Sequence, residues 1–174
     1  MKIGSMMVRG SINIINHIFI LSIMGLMIAG CSKKPIKQPI AYNHSIHVND
    51  AGLDCTDCHS GAVNKIRATL PSIKKCKSCH SEMQGESIAE TLVVKAVNNK
   101  EEIPWQRIYQ LKDHVFFSHR RHVTAGNLSC ELCHGNVEEM VVPPKQPLIP
   151  ISMDNCIKCH DSKSISTDCL NCHV

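Results

Sequence analysis

The chain has 174 residues, enough for one or two small domains, yet Phe, Trp and Tyr together make only 3% of it. Eleven Cys and eleven His stand in their place, which excludes an ordinary core filled by aromatic side chains. The formal charge is +4, and basic residues are not interleaved with aromatics, so no nucleic-acid partner is expected.

The first predicted element is a targeting segment. Lys2 and Arg9 precede a 12-residue apolar run, Ile18 to Ala29, which suits a signal-peptide core better than a span of about 20 residues. The run ends in Ile28-Ala29-Gly30-Cys31 and resembles the bacterial lipoprotein signal, in which the Cys is lipidated and becomes the new N-terminus. The competing reading is an uncleaved anchor helix reaching back to Ile12, which would have to hold Asn13, Asn16 and His17 at its edge. Either way the remainder is expected on the periplasmic side of a bacterial membrane, with inner or outer membrane left open. Without residues 1–30 the chain keeps 17 basic and 15 acidic side chains. Ser32 to Ile40, SKKPIKQPI, reads as a flexible tether.

From Tyr42 onward the cysteines fall into one pattern. Setting Cys31 aside, all ten others lie in five frames: Cys55-x-x-Cys58-His59, Cys76-x-x-Cys79-His80, Cys130-x-x-Cys133-His134, Cys156-x-x-Cys159-His160 and Cys169-x-x-Cys172-His173. Cys-x-x-Cys-His is the c-type haem attachment sequence. Its two thiols add to the porphyrin vinyl groups one short turn apart, and the following His is aimed at the iron. Disulfides suit an exported chain but leave the five histidines unexplained. Structural zinc would pair the frames, and five is odd. A thioredoxin-like pair would occur once, beside a β-α-β pattern that is absent.

The other histidines match that count. With the five frame histidines and His17 removed, His44, His47, His114, His119 and His122 remain, all just upstream of a frame. They are expected to be the second axial ligands of five haems. Met83, Met140 and Met153 are the rival ligands, with gap-filling as their commoner role.

The segments YNHSIHVNDAGLDCTDCHSG (42–61) and FSHRRHVTAGNLSCELCHGN (117–136) align without gaps, pairing Tyr42 with Phe117, His44 with His119, His47 with His122 and Cys55 with Cys130. Each is followed by an apolar-Pro stretch and another frame, so the chain holds a duplicated unit. The second copy adds one frame, at Cys169, and one histidine, His114. Short helices are expected to end in each frame, with turns marked by Gly52, Gly61, Gly126 and Gly135. Ser87 to Val97 carries a helical apolar stripe, although its Val pair also permits a strand. Pro104 is expected to stop that element, and Trp105 to pack on a haem face or close the second module.

This unit resembles the class III multihaem cytochromes c over about Ala41 to Val174. The resemblance implies that His44 serves the Cys55 haem and His119 the Cys130 haem, while His47 and His122 reach other haems, most simply those at Cys76 and Cys156. His114 is left for the Cys169 haem by elimination. Ile103 to Val123, IPWQRIYQLKDHVFFSHRRHV, looks like the pentahaem subunits of alternative complex III and related quinone oxidoreductases. The expected architecture is small and mostly irregular, with short α-helices around haem, in two class III-like modules. Its parts are a signal peptide (1–30), a lipidated tether (31–40), a dihaem module (41–83), a linker with a possible helix (84–112) and a trihaem module (113–174).

The expected function is electron relay between redox protein partners, through five covalently bound haem c groups, by a cytochrome anchored in the membrane through Cys31. The alternative is a haem enzyme with one open iron site acting on a small nitrogen or oxygen species. The absence of a Cys-x-x-Cys-Lys frame and the histidine count speak against it. Since cofactor rather than side chains is expected to drive folding, a haem-free preparation should show no cooperative unfolding in circular dichroism; a native-like transition would contradict this.

Overall fold

The computed structural model describes residues 35–173; the expected signal sequence and Cys31 lie outside them. Among the described residues every regular element is helical, apart from one isolated antiparallel bridge between Val115 and His173. None of these helices is long and apolar enough to cross a membrane.

Several helices start where a polar side chain takes an unpaired N–H. Asp57 reaches back to the Asp54 N–H (2.9 Å) at the start of Cys55–Cys58. Ser152 accepts from Asn155 N at the start of Met153–Ser162, and Asp168 from Leu170 N at the 3₁₀ turn Cys169–Asn171. The expectation that helices end in the frames holds for Ile73–Lys77, while the Cys156 frame lies inside Met153–Ser162. Both helices start four residues before their first Cys, at Ser72 and Ser152, and the second differs in that Ser152 takes the Asn155 N–H.

The stripe at 87–97 is a helix, Ile88–Asn99, and not a strand. Ser87 Oγ accepts from Glu90 N (3.0 Å) and fixes its first turn. It ends at Lys100, which takes the left-handed conformation (φ 58°), four residues before the expected stop at Pro104. This helix packs on Ile73–Lys77, burying Ile73 and Val97, and Glu102 Oε2 accepts the Ile73 N–H (2.9 Å). The segment expected as a linker is thus largely built into the first module. Trp105 meets Tyr42 edge-on at 6.1 Å, so it packs on the first module and does not close the second.

The duplication is visible in the backbone. Ile46–Asp50 and Arg121–Ala125 are both π-helical turns, a rare form that widens the helix where His47 and His122 sit. Five residues beyond each of these histidines a positive φ is required, filled by Gly52 in one copy and Asn127 in the other. Gly126, expected to mark this turn, has an ordinary φ of −86°.

The two modules are joined by backbone bonds. His119 N–H donates to Ile66 O (2.9 Å), Arg120 N–H to Lys65 O (3.1 Å), and Thr124 Oγ1 to Val63 O (2.6 Å). The stretch expected as a free tether is, from Pro35 on, fastened down. Ile36 N–H donates to Lys145 O, Gln38 and Gln106 exchange two hydrogen bonds, and Ile40 is buried.

Side chains bury little. Ile40, Ala62, Ile73 and Val97 are the buried hydrophobic residues among those described. Backbone closeness matters more at Gly61, where a Cβ would lie 2.7 Å from Arg67 O and 2.9 Å from Thr69 N. Gly61→Val should therefore cost about 1–3 kcal/mol of stability, whereas Gly52→Asn, which copies the second module, should be nearly neutral. Thermal unfolding of the two holoprotein variants checks both.

Candidate haem-binding site

The ten expected axial histidines come together in pairs distant in sequence. Ring centroids are 6.1 Å apart for His47 and His80, 6.2 Å for His122 and His160, 6.4 Å for His119 and His134, and 5.5 Å for His114 and His173. His44 neighbours His59: burial first, and then the charges of His59 and His47, lower its pKa to about 4. A metal–imidazole bond of about 2.0 Å on each side puts two ring centres roughly 6.3 Å apart. Three of the gaps, 6.1, 6.2 and 6.4 Å, are therefore of the width that one metal ion between two imidazoles requires, and His114–His173 at 5.5 Å is shorter.

Backbone and aromatic contacts set these rings. His47 Nδ1–H donates to Asn43 O (2.7 Å) and His122 Nδ1–H to Ser118 O (2.8 Å), each four residues back, just ahead of its π-helical turn. His59 Nδ1 bonds Thr69 O (2.7 Å) and His160 Nδ1 bonds Ser166 O (3.2 Å). His119 Nδ1 lies 3.2 Å from both Ile66 O and the donating Ala68 N–H, across the module boundary, so its protonation is not fixed by a carbonyl as in the other four. A ring whose Nδ1–H a carbonyl holds keeps its Nε2 lone pair for a metal. Tyr42 stacks on His47 at 4.4 Å and meets His44 edge-on at 4.7 Å; Phe117 does the same to His122 (4.4 Å) and His119 (4.9 Å). One aromatic thus braces both histidines of each His-x-x-His, which is why that position is aromatic in both copies. His114 is delivered by the C-terminal bridge, where Phe116 N–H donates to Cys172 O (2.8 Å) beside the Val115–His173 pair.

None of the ten frame cysteines is in a disulfide. Several have thiols of another frame beside them. Burial raises the Cys76 thiol, and Cys58 adds to it. Burial likewise raises Cys55, followed by Cys130, which shares a side-chain hydrogen bond with it. Burial and then Cys159 and Cys156 raise Cys133, while burial and then Cys172 raise Cys156. The Cys55 frame thus has thiols of both the Cys76 and the Cys130 frames near it, and the Cys156 frame has thiols of the Cys130 and Cys169 frames near it.

Several contacts were not legible in the sequence. His80 Nδ1 meets Glu90 Oε1 at 2.9 Å, from a helix ten residues on. Tyr109 sits edge-on to His134 at 4.5 Å. Glu90 had a visible signal only as the third residue after the Ser87 cap; Tyr109 had none. Met83 and Met153 are exposed, and Met140 offers its backbone carbonyl to the Ser45 N–H.

The donor set suits c-type haem. Burial lowers the pKa values of His119 and His134, so both rings are neutral, the form that binds iron. Trp105 Nε1 and Tyr109 Oη are buried without an acceptor in the protein, and porphyrin propionates are acceptors of the kind they lack. No cluster of three or more metal-ligating side chains exists among the described residues. The paired geometry thus offers two axial imidazoles per gap, leaving the equatorial positions to a macrocycle.

Comparison with known proteins agrees. Residues 115–174 match the family described as "Cytochrome c7 and related cytochrome c", and residues 27–108 match the "Class III cytochrome C family". The chain is 33% identical to the "Menaquinone reductase, multiheme cytochrome c subunit" of Nitratidesulfovibrio vulgaris, over 79% of this chain and 77% of that protein. Frames, paired rings and relatives lead to one assignment: this chain belongs to the class III-type multihaem cytochromes c.

Proposed function

We propose that this cytochrome is a pentahaem electron relay, held at the periplasmic face of a membrane through lipidated Cys31 and working as a subunit of a quinone oxidoreductase complex. The observation that carries the reading is the set of imidazole pairs 5.5–6.4 Å apart at four of the five frames, with His59 near His44 at the fifth. Haem c supplies one-electron exchange between ferric and ferrous iron. The protein's residues do the rest. Two imidazoles per iron leave no position for substrate, which favours relay over bond chemistry. His in place of Met as the second ligand favours low potentials.

The thiol neighbours across frames support a single row with ends at the Cys76 and Cys169 sites. Its central step, between the Cys55 and Cys130 frames, crosses the module boundary where His119 N–H and Thr124 Oγ1 bond the first module. The similarity to a menaquinone reductase subunit supports a quinone-reactive complex as partner. The lipoprotein-type Cys31 supports anchoring.

Intact mass should show five haem additions, and electron paramagnetic resonance only low-spin ferric signals. His114→Ala should convert one signal in five to high spin and create one carbon monoxide site. A high-spin signal in the unaltered protein would overturn the relay reading in favour of an open-iron enzyme. Cys31→Ala should release the cytochrome from membranes into the soluble fraction; retention in the membrane pellet would count against the lipid anchor.

A further inference from the structure

Four frame or distal histidines rest on backbone carbonyls: His47 on Asn43, His59 on Thr69, His122 on Ser118 and His160 on Ser166. Among the described residues His80 is the histidine whose ring meets a carboxylate, Glu90 Oε1 at 2.9 Å. The carboxylate is built in. Gln84 N–H donates to its Oε1 (2.7 Å), Gly85 N–H to its Oε2 (2.9 Å), and Ser87 Oγ caps its own N–H. Both side chains are largely covered, 20% exposed for His80 and 10% for Glu90.

The duplication supplies an internal control. His80 and His160 are the frame histidines of the second site in each module, and each pairs with the second histidine of its own His-x-x-His, His47 or His122. The pairs share spacing (6.1 and 6.2 Å) and differ in what holds Nδ1. His160 has a neutral carbonyl at 3.2 Å; His80 has a charged oxygen at 2.9 Å.

A carboxylate pulls the Nδ1 proton toward itself and leaves the ring with imidazolate character. Such a ring donates more charge through Nε2, which favours ferric over ferrous iron. A backbone carbonyl does this weakly. We propose that Glu90 is a positioning residue that acts through His80 to lower the potential of the Cys76 haem below that of its duplicate at Cys156, so that one end of the row gives up its electron most readily. This rests on the bis-His relay reading. The asymmetry would bias an otherwise repeated pair of modules in one direction.

The test is potentiometric titration of purified holoprotein, followed by electron paramagnetic resonance. Glu90→Gln keeps the size and leaves a neutral acceptor. One midpoint of five should rise, one low-spin signal should shift its g-anisotropy, and the other four should stay. Glu90→Gln holoprotein with five unchanged midpoints and signals would overturn the proposal. If Glu90→Gln fails to mature, nitrogen-15 resonance of the unaltered ferrous protein decides. One axial Nδ1 of ten displaced toward imidazolate supports the role of Glu90, and ten with none displaced overturn it. Missing haem mass or high-spin iron in the unaltered protein would instead indict the relay reading, so the two failures are distinguishable.

Discussion

The structure depends on imidazole rings held in pairs about one metal ion's width apart. Side chains alone bury few apolar groups, and ordering a residue costs roughly 1–2 kcal/mol of backbone entropy. Short helices of four or five residues cannot meet that cost by themselves. A tetrapyrrole gripped by two thioethers and two rings meets it differently. It closes loops covalently and presents a large apolar surface to exposed residues such as Leu132 and Leu170 inside the frames. Regular secondary structure is then needed only to aim the ligands.

That aiming is done with little chain. A π-helical turn places His47 or His122, a backbone carbonyl one turn back takes its Nδ1–H, and Tyr42 or Phe117 braces the ring. The same device occurs twice, with Gly52 and Asn127 as alternative answers to one left-handed position. A third delivery, His114 to His173, uses a β-bridge in place of a helical turn. Duplication thus accounts for four distal rings, and a local addition at the C-terminal end accounts for the fifth.

The modules are not equivalent where they look most alike. The Ile88–Asn99 helix follows the first and brings Glu90 to His80; the second ends in an extra frame instead. Glu90 therefore links fold to chemistry. The residue that closes the helix's first turn also holds a frame histidine. Helix start, loop 84–85 and ring orientation are coupled through one carboxylate.

Attachment frames, the duplicated unit and the supply of histidines could be read directly, because thioether chemistry demands a local spacing and leaves a local signature. The pairs His47–His80, His119–His134 and His122–His160 have the members that the family resemblance implies, and His114–His173 is the pair that elimination left. Other features required the folded chain. The sequence carries no sign that Trp105 belongs with the first module, that residues 35–40 are fastened to Lys145 and Gln106, or that the Cys55 and Cys130 frames lie side by side. These are contacts across dozens of residues, set by loops whose course no periodicity encodes. Local covalent chemistry determined what the chain binds; long-range backbone pairing alone decided which site neighbours which, because adjacency in space leaves no mark on spacing along the chain.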